Sequence, residues 1–330
     1  MEDTHVGVLD LNAHLGKASG VPSPSAFFGV FDGHSGRSAA EFARDRLLAL
    51  VLQQPDFPTR IPQALRAAYL SADEQLYSAF ASGQSSGCTA LTAMVIGRQL
   101  TVAHAGDSRA VLSKCGKAIQ LTHDHKPTAS AERDRIYTAG GAVCGPPSEA
   151  YLCGGCCTCR ASLTSENGAA VEYEESHIGV TRALGDFHLS QLKYRNPDDN
   201  RWQGPLIAEP EVHIRELQSE DEFVILACDG LWDVMSSQRA VEITRNSLRQ
   251  HVSISPQALE AAAQSLVDTA LEMHATDNVT ALVIGLQSSP PVNRSFRVSK
   301  DGSSRTAPMA RVLSNNGLGQ LAAALASASE

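Results

Sequence analysis

TALTAMVIGRQLTVAHAGDSRAVLSKCGKAIQL, residues 89–121, is the stretch of sequence that decides the fold class. It holds four strand-like apolar runs, at 89–96, 100–104, 109–112 and 118–121, which are separated by short polar connections. Short connections join antiparallel strands, because parallel strands need a crossover of about a dozen or more residues. We therefore predict an antiparallel meander through these four strands.

Helices and strands occur in blocks on both sides of this meander. The predicted helices are 37–53, 61–81, 131–139 (capped by Ser130), 238–249 and 256–273, and the further strands are 26–31, 222–228 and 279–286. This order does not alternate as it does in a parallel α/β protein. We therefore predict an α+β fold in which antiparallel sheets pack on each other with helices on the outer faces.

The composition excludes several classes of protein. The chain has 330 residues, of which 43% are apolar, and this permits one large layered core. No apolar run reaches the roughly 18–20 residues that span a bilayer, and the opening MEDTHV has no feature of a secretory signal. The net charge of −9 disfavours general nucleic-acid binding. Eight cysteines in such a chain are typical of reduced thiols, so we expect a location in the cytoplasm, the nucleus or both. We also expect the protein to be a monomer.

Three aspartates are predicted to meet at one end of the sheets. Asp32 follows the strand 26–31, Asp229 follows the strand at 222–228, and Asp277 precedes the last strand. If that last strand is antiparallel to the other two, the three carboxylates gather at one rim, where they repel each other unless cations lie between them. Oxygen ligands favour Mg²⁺ or Mn²⁺ over Zn²⁺. An Asp-Gly pair after a strand is also an ordinary turn, and that alternative stays open.

His34 lies two residues after Asp32 and is the nearest titratable partner of the aspartates. A histidine with a pKa near neutrality can donate a proton to a departing alkoxide. Most histidines in turns are structural, so the position alone does not assign a catalytic role to His34.

Ten short segments follow one another in a characteristic order. They are Met1-Glu2-Asp3, FFGVFDGHSG (27–36), SGCTALTAMV (86–95), AHAGDSRAVLS (103–113), HDHKP (123–127), ERDRIYTAGGAV (132–143), VTRALGDFHL (180–189), PLIAEPEV (205–212), CDGLWDVMS (228–236) and TDNVTALV (276–283). In this order they resemble the type 2C (PPM) metal-dependent protein phosphatases, and several are most similar to plant and green-lineage members. One such segment is weak evidence, whereas ten in order are specific.

The resemblance implies a central β-sandwich flanked by helix pairs, in α-β-β-α layers, with a two-metal site at one end. Asp32 resembles the carboxylate that bridges the two metals, and Gly33 resembles the residue that offers its carbonyl to one of them. The other implied ligands of these two ions are Asp229, Asp277, Glu2 and Asp3, partly through water.

The resemblance also implies the chemistry. The implied cofactors are Mg²⁺ or Mn²⁺, two per site, and Asp124 and Asp233 resemble the acids that hold a weaker third ion in some members. His34 resembles the proposed general acid. The implied reaction is hydrolysis of phosphoserine and phosphothreonine in proteins by a metal-activated water, without a phosphoenzyme.

The sequence departs from the family at its beginning. Family members carry an arginine a few residues before the Met-Glu-Asp segment, where it binds the substrate phosphate, but this sequence begins at Met1. We expect a truncated N-terminus that lacks this arginine and the sheet-edge strand before it. Glu2 and Asp3 are then expected to lie on a frayed end. The alternative function is a phosphatase-like binding protein with impaired turnover, and hydrolysis of small phosphate esters is disfavoured only by the resemblance.

A second departure is an insertion between Gly141 and Val180 that is longer than the family's. It includes CGGCCTC (153–159), whose CxxCCxC spacing, with Cys144 nearby, is compatible with zinc binding. We favour the alternative of a flexible, redox-sensitive loop. We place the catalytic domain at 1–286, the insertion at about 144–177 and a disordered tail at 287–330, where the final GLGQLAAALASA could form a short helix.

Overall fold

Two five-stranded antiparallel sheets pack face to face at the centre of the protein. The structure is a computed structural model that describes residues 1–16, 21–80, 85–146, 150–153, 177–287 and 322–328. The first sheet has the strand order β1 (Thr4–Val8), β2 (Ser25–Phe31), β5 (Ala90–Ile96), β6 (Gln99–Ala105) and β15 (Glu211–Glu216). The second has the order β18 (Ala322–Ala328), β17 (Val279–Gly285), β16 (Asp221–Ala227), β7 (Arg109–Lys114) and β8 (Lys117–Gln120). Every neighbouring pair in both sheets is antiparallel.

Three small sheets accompany the two large ones. Their strands are β3 (Gly33–His34), β4 (Gly87–Cys88) and β12 (Leu184–Gly185) in one, β9 (Ala142–Cys144), β10 (Tyr151–Cys153) and β11 (His177–Ile178) in another, and β13 (Tyr194–Arg195) and β14 (Trp202–Gln203) in the third. The first of them joins three distant segments of the chain, and it holds the residues that surround His34.

Seven helices lie in the described part of the chain. They are α1 (Leu11–Leu15), α2 (Ser38–Leu52), α3 (Ile61–Ala79), α4 (Ser130–Thr138), α5 (Asp229–Trp232), α6 (Ser237–Leu248) and α7 (Pro256–Glu272). The predicted cap at Ser130 is wrong, because Ser130 is the first residue of α4 and Ala129, which has no capping side chain, precedes it. The helix ends just before Gly140, whose φ of +78° suits glycine.

Alternate residues of the central strands face different layers of the molecule. In β2, Phe28 packs between the two sheets, whereas Phe27 packs with residues of α2 and α3. In β16, Val224 packs between the sheets and Ile225 packs with residues of α6 and α7. The strands are apolar on both faces because both faces are covered. The predicted α+β sandwich with α-β-β-α layers is confirmed.

The prediction of a single meander through residues 89–121 is wrong. β5 and β6 form a hairpin in the first sheet, and β7 and β8 form another in the second sheet. The chain crosses between the sheets at Gly106-Asp107-Ser108, where Gly106 has a φ of +118°. A Cβ atom at Gly106 would collide with Thr89, so this crossing requires glycine. The short polar connection at Gly106-Asp107-Ser108 was predicted to close a hairpin, but it leads the chain from the first sheet to the second.

The sequence analysis also missed or misjudged elements at the edges. Strands β1 and β15 were not predicted, since their short, partly polar sequences give little periodicity. Residues 322–328 form a strand beside β17 rather than a helix. The rest of the predicted disordered tail from 288 onward, together with Cys156, Cys157 and Cys159 of the insertion, lies outside the described residues. None of the described helices is long and apolar enough to cross a membrane.

Candidate metal centre and active site

Four aspartates gather at one end of the two sheets. Asp32 directly follows β2, Asp107 lies in the crossing between the sheets, and Asp229 is the first residue of α5. One carboxylate oxygen from each of these three lies within 4.8 Å of the others. Asp3, just before β1, forms a second group of the same spacing with Asp32 and the thiol of Cys228. We call Asp3, Asp32, Asp107 and Asp229 the acid cluster.

The carboxylates of the acid cluster repel one another. Burial, followed by the charge of Asp229, raises the pKa of Asp32 well above its ordinary value of 3.8. Burial and the charges of Asp107 and Asp233 raise the pKa of Asp229 to about 7. The Oδ1 atom of Asp229 is also buried and accepts no hydrogen bond from the described part of the chain. Such carboxylates are fully ionised at neutral pH only where a cation offsets their charge.

The donors of the acid cluster fit divalent cations. Carboxylate oxygens are the ligands that hard ions such as Mg²⁺ and Mn²⁺ prefer. Burial raises the pKa of the Cys228 thiol, which therefore stays protonated and donates to the carbonyl of Asn278 at 3.2 Å. The set is therefore one of oxygen ligands with a neutral thiol beside it.

Asp107 is a member of the acid cluster that the sequence analysis did not single out. The segment Gly106-Asp107-Ser108 was interpreted as a hairpin turn, and an acid in such a turn needs no further role. Its signal would have been the sheet change, because a crossing between two packed sheets brings the turn to the rim where their strands end.

Asp277 lies beside the acid cluster, as its position before β17 predicts. β17 is antiparallel to β16, one of the two strands to which it was expected to be antiparallel, and this brings the start of β17 next to the end of β16. The charge of Asp277 contributes to the raised pKa values of Asp3 and Asp229. The Oδ1 atom of Asp277 accepts a hydrogen bond from the amide of Asn278 at 2.6 Å.

The expectation that Glu2 and Asp3 lie on a frayed end is wrong. Asp3 is buried, and its Oδ2 atom accepts a hydrogen bond from the hydroxyl of Thr280 at 2.7 Å. The amide of Glu2 donates to Asn278 Oδ1 at 2.9 Å, and Glu2 Oε1 accepts from the amide of Gly36 at 3.1 Å. The pairing of β1 with β2 continues this attachment into the first sheet. The two acids are held by contacts with the second sheet and with the segment after Asp32.

Gly33 and His34 form the short strand β3 immediately after Asp32. A Cβ atom at Gly33 would lie 2.6 Å from the carbonyl oxygen of Glu2, so only glycine allows this approach of the two backbones. His34 pairs across the small sheet with Gly87.

His34 is held by a carboxylate that the sequence analysis did not predict. Its Nε2 atom lies 2.8 Å from Oδ1 and 2.9 Å from Oδ2 of Asp186, which is fully buried. A Cβ atom on Gly87 would collide with this carboxylate, so glycine makes room for it. Burial alone would lower the pKa of His34, but the charge and hydrogen bond of Asp186, together with the charges of Asp107 and Glu2, leave this pKa raised. The signal for Asp186 was its place in the segment VTRALGDFHL.

A buried ion pair supports this arrangement from behind. Asp73 on α3 lies 2.7 Å from the Nζ atom of Lys193 and accepts a hydrogen bond from the amide of Gly185 at 2.9 Å. Lys193 also donates to the carbonyl of Gly185 at 2.8 Å. Gly185 is therefore fixed through both of its backbone polar groups, and with it the neighbouring Asp186.

The comparison with known proteins agrees with this geometry. The sequence model of the family described as "Protein phosphatase 2C" matches residues 1–279. The chain belongs to the protein phosphatase 2C family. It is 38% identical over 322 residues to "Probable protein phosphatase 2C 54" of Oryza sativa subsp. japonica, and the alignment covers 97% of this chain and 77% of that relative. It is 41% identical over 295 residues to "Probable protein phosphatase 2C 22" of Arabidopsis thaliana, and this alignment covers 89% of this chain and 67% of that relative.

A solved structure supports the same assignment. The "Crystal structure of serine-threonine phosphatase 2C from Toxoplasma gondii" is similar with a TM-score of 0.65 and 25% identity, over 86% of this chain and 89% of that one. The chain is a metal-dependent protein serine/threonine phosphatase of the plant-like type. The alternative of a phosphatase-like binding protein is not favoured.

Two further predicted metal ligands of the phosphatase are paired with basic side chains. Asp124 accepts hydrogen bonds from Arg109 at 2.9 Å and 2.6 Å. Asp233 Oδ1 lies 3.2 Å from the Nζ atom of Lys126, which is also 3.4 Å from Asp107 Oδ2. The structure thus places Asp233 and Lys126 at the border of the acid cluster and Asp124 in an ion pair beside it. Their role as ligands of a third ion stays a prediction.

Proposed function

We propose that the acid cluster binds two Mg²⁺ or Mn²⁺ ions and that the phosphatase hydrolyses phosphoserine and phosphothreonine directly, without a phosphoenzyme. The observation that carries this proposal is the convergence of four carboxylates whose raised pKa values call for cations, beside a histidine held by Asp186. When bound, the cations supply Lewis-acid chemistry, which makes water nucleophilic near neutral pH and offsets phosphoryl charge.

The ligands are proposed from the residues that the structure brings together. Asp32 is central to the set because it belongs to both groups of the acid cluster. The carbonyl of Gly33 is the backbone donor next to it. The remaining proposed ligands are Asp3, Asp107, Asp229, Asp277 and Glu2. Asp124 and Asp233 would hold a third ion only after Arg109 and Lys126 release them.

His34 is proposed as the general acid for the departing serine or threonine oxygen. Its Nε2 atom faces Asp186, so the proton that reaches the leaving oxygen comes from Nδ1. Asp186 fixes the plane of the imidazole ring and favours its protonated form, which a general acid needs near neutral pH. We also propose that the protein is a monomer and that it is located in the cytoplasm, the nucleus or both.

The test is an assay of the purified full chain on a phosphothreonine peptide, with and without Mn²⁺. The matched variants are Asp229→Asn and Asp268→Asn, since Asp268 is an exposed acid on α7. We expect Mn²⁺-dependent turnover in the wild type and in Asp268→Asn, and loss of turnover in Asp229→Asn. Equal rates with Mn²⁺ and with a chelator would contradict the proposal.

A further inference from the structure

A group of histidine and glutamate side chains lies next to β15, apart from the acid cluster. His104 is on β6, and Glu211 lies directly opposite it on β15. His213 is two residues farther along β15 and therefore points to the same face. His125, from the loop before α4, stacks on His104. We call His104, His125, Glu211 and His213 the histidine cluster, and nothing in the phosphatase chemistry uses it.

His104 is prepared to act as a metal ligand. It is fully buried, and its Nε2 atom donates to the carbonyl of His123 at 2.9 Å. That bond places the proton of the neutral ring on Nε2 and leaves the lone pair on Nδ1. The Nδ1 atom is buried and has no hydrogen-bond partner among the described residues. In most metal-binding histidines, one ring nitrogen donates a hydrogen bond to a carbonyl or carboxylate and the other ring nitrogen binds the metal.

A ring nitrogen of His125 also lies within 4.8 Å of ligand atoms of His104 and Glu211, but the orientation of the His125 ring does not suit an ion shared with His104. Its ring lies parallel to that of His104, at 6° and 4.2 Å between centroids. Each lone pair lies in the plane of its own ring, so two stacked rings cannot direct both to one ion. The amide of Gly106 also donates to His125 Nδ1 at 3.2 Å, which leaves the proton of the neutral ring on Nε2.

Glu211 and His213 are the two side chains that we place with His104, and one Glu211 oxygen lies within 4.8 Å of a ring nitrogen of His104. Glu211 Oε2 lies 3.5 Å from His213 Nε2, which is long for a hydrogen bond. It is close to the separation of about 3.4 Å between two ligand atoms on a tetrahedral zinc ion with bonds of about 2.0–2.1 Å. The His213 Nε2 atom is buried without a hydrogen-bond partner in the described chain. The ring centroids of His104 and His213 are 5.9 Å apart, so the partly exposed His213 must turn toward His104 for both rings to bind one ion.

The surroundings permit a divalent cation at this position. The second oxygen of Glu211 lies 3.4 Å from Arg182, whose positive charge is balanced by Glu132 at 2.6 Å. His213 also lines a surface groove of about 260 Å³, together with Leu100 and Ile119, which offers a path from solvent. The site is therefore accessible from solvent, and the nearby positive charge of Arg182 is already balanced by Glu132.

We propose that His104 Nδ1, His213 Nε2 and the Glu211 carboxylate bind one Zn²⁺ ion, separate from the acid cluster. Two imidazole nitrogens and one carboxylate suit zinc, whereas the all-oxygen acid cluster suits Mg²⁺ or Mn²⁺. The ion would join β15, the edge strand of the first sheet, to β6. The proposal holds whether or not the acid cluster performs the chemistry proposed for it.

The test is a Zn²⁺ titration of the metal-free full chain in excess Mg²⁺, followed by calorimetry and by thermal unfolding. The variants are His213→Ala and Glu211→Gln, with His188→Ala as the matched control because His188 is an exposed histidine away from the site. We expect the wild type and His188→Ala to bind one Zn²⁺ that both site variants bind at least about tenfold more weakly. We also expect Zn²⁺ to raise the unfolding temperature of the wild type more than that of either site variant.

Zinc that binds to cysteines of the insertion is common to all four proteins and cancels in the comparison. The proposal is overturned if His213→Ala and Glu211→Gln match the wild type in zinc stoichiometry and affinity. Because His213 is 41% exposed, its replacement by alanine leaves the core intact. Far-UV circular dichroism of each variant verifies this.

Discussion

The acid cluster and the histidine cluster share one stretch of chain, since His104 and Asp107 are only three residues apart. Burial shifts their pKa values in opposite directions: it raises that of Asp229 to about 7 and lowers that of His104 to about 3. In both places burial favours the uncharged form, but near neutral pH an imidazole is readily neutral and a carboxylate is not. The histidine cluster is therefore stable without an ion, whereas the acid cluster is under repulsion until cations fill it.

The largest expected effect separates the activity of the acid cluster from its stability. Asp32→Asn removes the proposed central ligand, so kcat/KM on a phosphothreonine peptide should fall more than about a hundredfold. The same change removes one of the repelling charges, so the metal-free protein should unfold at a higher temperature than the wild type. Paired assays with Mn²⁺ and thermal scans in chelator measure the two effects. A metal-free protein that the substitution destabilises would contradict the repulsion.

The pH dependence of stability isolates the acid cluster. A carboxyl group whose folded pKa is raised destabilises the folded state as pH rises from its unfolded pKa, near 3.8, through its folded pKa, about 7 for Asp229. From pH 5 to pH 8, Asp229 should remove about 2–3 kcal/mol from the free energy of unfolding of the metal-free protein. Urea unfolding of Asp229→Asn at both pH values should lack that loss. Asp268→Asn, the exposed control, should behave as the wild type.

The histidine cluster should show the opposite sign. The folded pKa of His104 is lowered, so its contribution to stability is present above its unfolded pKa, near 6.5, and is lost as pH falls. Between pH 8 and pH 5 this amounts to about 2 kcal/mol, which His104→Asn should abolish in chelator. His188→Asn is the matched control. If the free energy of unfolding depended on pH equally in the wild type and in His104→Asn, burial of the His104 imidazole would not lower its pKa.

The sequence was sufficient for the layers of the fold and for half of the acid cluster. Helices α2, α3, α6 and α7 have long apolar periodicity, and strands β2, β16 and β17 are uninterrupted apolar runs. Because Asp32 and Asp229 directly follow such strands, strand placement alone brings them to the same rim. The family segments then extended this prediction to Asp3 and Glu2.

What the sequence could not predict depends on contacts between distant segments. Asp107 enters the acid cluster only because the chain changes sheets at Gly106, and a local pattern does not distinguish that crossing from a hairpin. Asp186 reaches His34 across 152 residues, through a small sheet of two-residue strands that no periodicity reveals. The anchoring of Asp3 by Thr280 is likewise a contact between the two ends of the domain.

The pair of His34 and Asp186 joins an imidazole to a carboxylate close to the acid cluster. Asp186→Asn keeps the size and shape of the side chain but removes the negative charge that favours the protonated form of His34. On a phosphothreonine peptide, kcat should therefore fall by about tenfold or more. An aryl phosphate, whose leaving group needs little protonation, should lose less. The raised pKa of His34 implies that the alkaline limb of the kcat profile moves to lower pH in Asp186→Asn, because the imidazole then loses its proton earlier. Equal losses on both substrates with an unchanged pH profile would show that Asp186 supports the fold and does not act through His34.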